Sequence, residues 1–217
     1  IDKNTNLNTS FNIYEDLSKK DSDRYQYVFP GFSFSKNIEI SEDYNGNFNF
    51  TSSGHQRNYD TNKYEAVVNN DFLFNSYDFV SESGIATDYE LLLKNLNTYS
   101  DNSTNYSNKN DHNLYSTALI KAQYPLKKKL VNSNNYLKPI ISARFSPNNP
   151  KNISGDDIRL DYGNLFSLNR IGRSDMVEGS RSLTIGVEFE KQNLLNEKMF
   201  GFNIGNVIKD KKSSNLP

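Results

Sequence analysis

The sequence predicts an all-β chain, an antiparallel transmembrane β-barrel segment of about nine strands belonging to a larger barrel. Three observations predict it. Hydrophobic residues make up only 35% of the 217 residues and the mean hydropathy is -0.77, too little apolar side chain for an ordinary two-sided core. The chain nevertheless carries 14 Tyr and 14 Phe, far more than a disordered chain of low hydrophobicity would. Apolar and polar residues alternate with period two along most of its length, the pattern of a sheet with one greasy and one wet face.

The strands follow in order. Leu7, Phe11 and Ile13 alternate with Asn8, Ser10 and Asn12. Tyr25, Tyr27 and Phe29 switch parity to Phe32 and Phe34 across Pro30-Gly31, which predicts a bulge there. Phe48 and Phe50 alternate with Asn47, Asn49 and Thr51, and Tyr64, Ala66 and Val68 lead on to Phe72 and Phe74. Tyr89, Leu91 and Leu93 alternate with Asp88, Glu90 and Lys94. Ala118, Ile120, Ala122 and Tyr124 oppose Thr117, Lys121 and Gln123, with Leu119 out of pattern. Leu137, Pro139, Ile141, Ala143 and Phe145 oppose Lys138, Ser142 and Arg144, with Ile140 as the exception. The clearest case is 181–190: Leu183, Ile185, Val187 and Phe189 take one face, and Ser182, Thr184, Gly186, Glu188 and Glu190 the other. Phe200, Phe202 and Ile204 close the series against Gly201, Asn203 and Gly205. Each strand is roughly ten residues, the length that a tilted strand needs to cross a bilayer.

The connections alternate in character. Segments 15–23, 53–62, 95–113 and 146–180 are polar and include the two longest; 36–45, 75–84, 125–135 and 191–197 are on the whole shorter. Outer-membrane barrels have long extracellular loops and short periplasmic turns. In lipid every backbone N–H and C=O must pair within the protein, which an antiparallel barrel achieves. On this reading Leu183, Ile185, Val187 and Phe189 face acyl chains, Ser182, Thr184, Glu188 and Glu190 face a wet lumen, and Tyr25, Tyr124 and Phe200 suit the aromatic girdles. Nine strands would not make an even-numbered single-chain barrel, and the polar ends, Ile1-Asp2-Lys3 and Lys211-Lys212-Ser213, read as cuts. Residues 1–217 are therefore expected to be one part of a single barrel domain.

The charge balance, 25 basic against 26 acidic residues, gives no long-range attraction to nucleic acid. There is no Cys, so neither a disulfide nor a thiolate metal site can form within the chain. His55 and His112 are read as isolated in polar loops, without neighbours at metal-ligand spacing. Lys127, Lys128 and Lys129 could meet anionic headgroups, but a solvated turn is the preferred reading. Asp156-Asp157 after Gly155 reads as an Asx-type turn. No nucleophile motif is present, and the expectation is no enzyme, no catalytic or metal residue and no cofactor.

Residues 161–187 are the most informative stretch. They contain Asn164-Leu165-Phe166, Asn169-Arg170, Asp175-Met176-Val177-Glu178-Gly179 and the amphipathic strand Arg181-Ser182-Leu183-Thr184-Ile185-Gly186-Val187. This succession resembles the outer-membrane barrel domain of the LptD family of lipopolysaccharide-assembly proteins. Weaker matches fall in family order: Tyr25-Gln26-Tyr27-Val28-Phe29-Pro30, Tyr124-Pro125-Leu126, and Gly201-Phe202-Asn203-Ile204-Gly205-Asn206-Val207, where Asn206 replaces the usual Gln. The resemblance spans 24–217 and is specific over 161–207. It implies the central part of a C-terminal barrel in the Gram-negative outer membrane that inserts lipopolysaccharide into the outer leaflet. The partners it implies are an LptE-type lipoprotein, lipopolysaccharide, outer-membrane lipid and, through an N-terminal domain outside this stretch, the periplasmic bridge proteins. The lateral gate would lie outside it too.

Within 146–180, Leu165, Phe166, Leu168, Ile171, Met176 and Val177 are too apolar for a free loop, while Arg170, Arg173, Asp175 and Glu178 can pair with one another or with lumen residues. The expectation is a loop folded into the barrel mouth, with Asn164, Leu165, Phe166, Asn169, Arg170, Asp175, Glu178 and Gly179 in a structural or plugging role. A solvated loop is the plain alternative. Other functional classes compete: a different outer-membrane barrel (a porin or gated transporter), a secreted β-sandwich or β-helix, and a barrel enzyme. The strand pattern allows the first of these; a sandwich would bury both faces and a β-helix would show short repeats, neither of which is seen.

Overall fold

The computed structural model describes residues 4–19, 24–148 and 159–210. Among these residues eleven strands form: β1 (Thr5–Glu15), β2 (Tyr25–Ile38), β3 (Gly46–Tyr59), β4 (Tyr64–Ser76), β5 (Phe79–Val80), β6 (Ala86–Asp101), β7 (Asp111–Gln123), β8 (Leu126–Lys129), β9 (Asn134–Ser146), β10 (Ser180–Gln192) and β11 (Lys198–Lys209). They make an antiparallel sheet of order β1-β2-β3-β4-β6-β7-β9-β10-β11, with β5 on β6 and β8 on β9. β1 and β11 end this order, and no pairing joins them among the described residues. The all-β, antiparallel expectation holds, with nine principal strands and two short ones that the sequence pattern did not separate from turns.

The chain divides into two compact units, one of Ile1–Phe74 and Leu92–Tyr115, the other of Asn75–Leu91 and Ser116–Pro217. In the first, the expected bulge is present. Val28 pairs Asn12 and Arg57, Gly31 pairs Ser10 and His55, and Phe29-Pro30 lies between them opposite one residue on each side. Proline cannot donate to a ladder, so an irregularity is where it fits. One face carries Phe34, Phe48, Phe50 and Phe72 in mutual contact, with Phe50 and Phe72 centroids 4.8 Å apart. The opposite face buries Val28, Val67 and Leu96 among Glu65, Asn69, Lys94, Thr98 and Ser100.

The second unit alternates most clearly. Along β9, Ile141, Ala143 and Phe145 are exposed while Ser142, Arg144 and Ser146 are buried; along β10, Leu183 and Ile185 are exposed while Ser182 and Thr184 are buried. Val187 and Phe189 are half-buried, and the Phe189 ring stacks on Phe202 at 5.4 Å. Leu119 and Ile140, the two residues out of pattern, lie on the buried face, 3% and 7% exposed.

Several expected loops are shorter. β3 runs on to Tyr59 and leaves 60–63 as the connection in place of 53–62, and β6 and β7 reduce 95–113 to 102–110. In both places backbone pairing extends strands whose side chains are polar on both faces, so no alternation betrays them. His55 and His112 consequently sit on β3 and β7 rather than in loops. Lys127, Lys128 and Lys129 belong to β8, with Lys127 4.9 Å over the Tyr136 ring, and β5 occupies part of 75–84. β8 keeps the register of β7 along β9: Ala118 pairs Phe145, Leu126 pairs Leu137, and Tyr124 N–H donates to the Pro139 carbonyl. Asp156-Asp157 and Gly155 lie outside the described residues.

Candidate functional site

Residues 159–179 fold back over the buried face of the second unit. The segment opens with a turn in which Asn164 N–H donates to Asp161 Oδ1 at 3.1 Å and Asp161 N–H to Asn164 Oδ1 at 3.0 Å. The Asn164 amide also donates to the Arg159 carbonyl. Such reciprocal side-chain bonds are what Asp and Asn offer at turns. The turn directs Tyr162, Leu165 and Phe166 onto two glycines, Gly186 of β10 and Gly205 of β11, which pair with each other in register. A Cβ on Gly186 would stand 2.8 Å from Phe166 Cζ, and one on Gly205 2.8 Å from Leu165 Cδ1. These glycines therefore form the seat of the segment, where absence of a side chain is required for close approach. Leu168, Met176, Val177 and Gly179 are buried beyond it.

A charged cluster locks the far end. Arg170 grips the Glu178 carboxylate with two hydrogen bonds, Nε to Oε2 at 2.8 Å and Nη2 to Oε1 at 2.9 Å, and also donates to Ser182 Oγ at 3.0 Å. Lys209 of β11 reaches Glu178 Oε1 at 2.8 Å. Arg144 of β9 donates to the Leu168 carbonyl at 2.7 Å and the Glu178 carbonyl at 2.5 Å. Arg144, Arg170 and Glu178 are all nearly inaccessible. Burial alone would raise the Glu178 pKa, but hydrogen bonds and charge from Arg170 and Lys209 outweigh it and hold the carboxyl below its ordinary value. A fork-to-fork arginine–carboxylate pair is strong because both donors align with both acceptors. Nearby, Arg173 holds Asp175 with two bonds at 2.8 and 3.0 Å, and the Asn169 amide donates to the Arg173 carbonyl.

Between the segment and the sheet lies a polar cavity of about 510 Å³, lined among others by Glu90, Lys121, Lys138, Tyr162, Phe166 and Glu188. Its lining carries two lysines against two carboxylates, Glu90 and Glu188; Lys138 meets Glu188 at 2.6 Å, and Lys121 reaches Asp88 beside the cavity at 3.1 Å. Burial, reinforced by the adjacent Glu188 carboxylate, pushes the Tyr162 phenol up to about 12. Among the described residues no three His, Asp or Glu side chains converge as a metal site would.

The sequence motif residues thus divide between the two ends of one segment. Asn164, Leu165 and Phe166 sit at the glycine seat, and Asn169, Arg170, Asp175, Glu178 and Gly179 sit at or beside the charged lock. Their partners on the sheet are Arg144, Ser182, Gly186, Gly205 and Lys209; the sequence motifs include Ser182, Gly186 and Gly205, but only strand register brings the five under the segment. The one available signal was an arginine at a buried-parity position of a strand, Arg144. No family model and no curated protein compared with the chain matches it.

Proposed function

We propose that this chain is a stretch of a Gram-negative outer-membrane β-barrel of the LptD type, part of the wall of the translocon that inserts lipopolysaccharide into the outer leaflet. The observation that carries the membrane reading is inverted burial. Ile120, Ile141, Phe145, Ile185 and Ile208 are 44–54% exposed, whereas Ser142, Arg144, Ser182 and Thr184 are at most 6% exposed. In water that arrangement leaves contiguous apolar rows uncovered; against acyl chains it is the favourable one.

The LptD reading rests on the sequence of 161–187 together with how those residues behave. Segment 159–179 lines the wet face as a plug would, so that a barrel wide enough for a lipid headgroup does not leak solutes. An LptE-type lipoprotein, lipopolysaccharide and the periplasmic bridge are the partners this reading carries. A porin or gated transporter is the alternative, favoured by the charge-balanced cavity beside the plug, which suits passage of small polar solutes.

Depletion of the full-length protein in its own cells separates the readings. The expected result is outer-membrane fractionation, loss of lipopolysaccharide from the cell surface and its accumulation inside. Unchanged surface lipopolysaccharide combined with ion conductance of the purified protein in planar bilayers would transfer the assignment to a porin.

A further inference from the structure

The exposed face of the second unit carries two rows in register. Ile120, Ala143, Leu183 and Ile208 stand side by side on β7, β9, β10 and β11. Two residues nearer the loop end run Ala118, Phe145 and Arg181, with Asp210 beside Arg181. Because Ala118 and Ala143 are small, the two rows enclose a groove of about 650 Å³, walled by Leu91, Ile120, Leu183 and Ile208. Its floor and walls are apolar and its loop-side end carries the exposed Arg181. The Arg181 guanidinium lies 5.4 Å over the Phe145 ring, and among the described residues no carboxylate pairs with it. The Asp210 carboxylate instead accepts the Arg181 backbone N–H at 3.1 Å.

We propose that this groove is a binding site for an anionic, phosphate-bearing lipid of the leaflet at the loop end, its acyl chain along Ala143 and its phosphate on Arg181. The chemistry is complementary at both ends. A groove of aliphatic side chains holds a hydrocarbon chain, and an exposed guanidinium offers planar paired donors to a phosphate. The aromatic ring beneath fixes the arginine stem at the interface, where such side chains place their charge in the headgroup layer. Asp210 opposes an anion and tunes the site down.

The proposal rests on the membrane reading above, and one experiment separates their failures. The full-length protein is inserted into nanodiscs of phosphatidylcholine and phosphatidylglycerol in equal parts, then released and weighed by native mass spectrometry. Failure to insert would sink the membrane reading and the proposal together. With insertion, the wild type is expected to retain phosphatidylglycerol in preference to phosphatidylcholine. Arg181→Ala should lower that preference roughly fivefold, the factor expected of one interfacial cation, and Arg181→Lys should keep most of it. Ala143→Phe, which fills the groove, should reduce retention of both lipids, and Asp210→Asn should raise that of phosphatidylglycerol. Insertion with wild-type lipid preference in both Arg181→Ala and Ala143→Phe overturns the site.

Discussion

The two units satisfy their buried polar faces in different ways. In the first, charge is met by neighbours on adjacent strands or the next connection. Lys94 of β6 bonds Asp71 at 2.7 Å and Asn69 at 3.2 Å on β4, while Glu65 is met by Ser103, by Asn105 at 2.9 Å and by Arg57 at 3.7 Å. The second has lateral pairs too, Lys121 with Asp88 and Lys138 with Glu188, but there one carboxylate belonging to the in-folded segment, Glu178, also collects Arg170, Lys209 and Arg144. A lateral pair stabilises two strands that hydrogen bonds already hold. The Glu178 cluster holds a whole segment that has no ladder of its own. The same chemistry is therefore redundant between paired strands and decisive at the in-folded segment, which only the second unit has.

Glu178→Ala is the strongest way to test that contrast. It leaves two buried arginines and a partly buried lysine without their carboxylate, at a cost of about 3–5 kcal/mol. Trypsin should then cut after Arg170 and Arg173, which the wild type should protect, while hydrogen exchange of β2–β4 stays unchanged. The same contrast has a pH signature. Because the folded-state pKa of Glu178 is depressed, its contribution is present above the unfolded-state value and is lost as pH falls through the folded one. Protection of the segment should persist at about pH 4, where a free glutamate titrates, and fail only under stronger acid. Glu178→Gln should abolish that acid step. Equal loss of protection in both units would show that the cluster supports the sheet rather than the segment.

How much of this was legible depends on the residue. Alternation in 137–145 and 181–189 is plain because one parity is apolar and the other polar. The second half of β3 and the loop end of β6 are hidden, because Ser52 and Ser53 on the one, and Asn97 and Thr98 on the other, put polar groups on both parities. The apolar and charged content of 165–178 is enough to expect an in-folded segment, but not its partners. Arg144, Gly186, Gly205 and Lys209 come under the segment only through strand register, which alternation along a single chain does not reveal. The pairing of Gly186 with Gly205 makes the seat, and neither glycine announces it alone.

The exposed faces differ as well, and Ile185→Arg sharpens that difference. Ile185 stands in the middle of the apolar row Leu183 to Phe189 on β10. In the bilayer-inserted full-length protein, an arginine there is expected to cost about 2–4 kcal/mol, read from urea unfolding in lipid vesicles. A change near zero would count against the proposal that this face meets hydrocarbon.

Gly186→Val should cost less, about 1–3 kcal/mol, because the new side chain overpacks against Phe166 rather than removing a charge partner. The segment's glycine-seat end should loosen while Arg170 and Glu178 stay paired, so cleavage after Arg159 should rise before cleavage after Arg170. Cleavage after both sites at equal rates would mean that the segment moves as one body.

Asn97→Leu is expected to have the smallest effect. On the exposed face of the first unit, polar side chains form a hydrogen-bonded row across β3, β4, β6 and β7. Ser52 donates to Asn70 at 2.7 Å, Asn70 to Asn95 at 3.3 Å and Asn97 to Asn95 at 2.6 Å, and His112 Nδ1 lies 2.6 Å from Asn97 Oδ1. Leu93 precedes this row on β6, and Tyr99 follows it, paired with Tyr64 at 5.8 Å. A row of amides below a tyrosine pair suits the headgroup layer, where water and lipid polar groups can replace any lost bond. Leucine at position 97 would then forfeit two hydrogen bonds that solvent restores, and stability should change by less than about 1 kcal/mol. In hydrocarbon the outcome would differ, since leucine would replace a poorly solvated amide and stabilise the protein by well over that amount. Unfolding of Asn97→Leu in vesicles therefore reports where the apolar band of the first unit ends, and a large stabilisation would extend that band up to Tyr99.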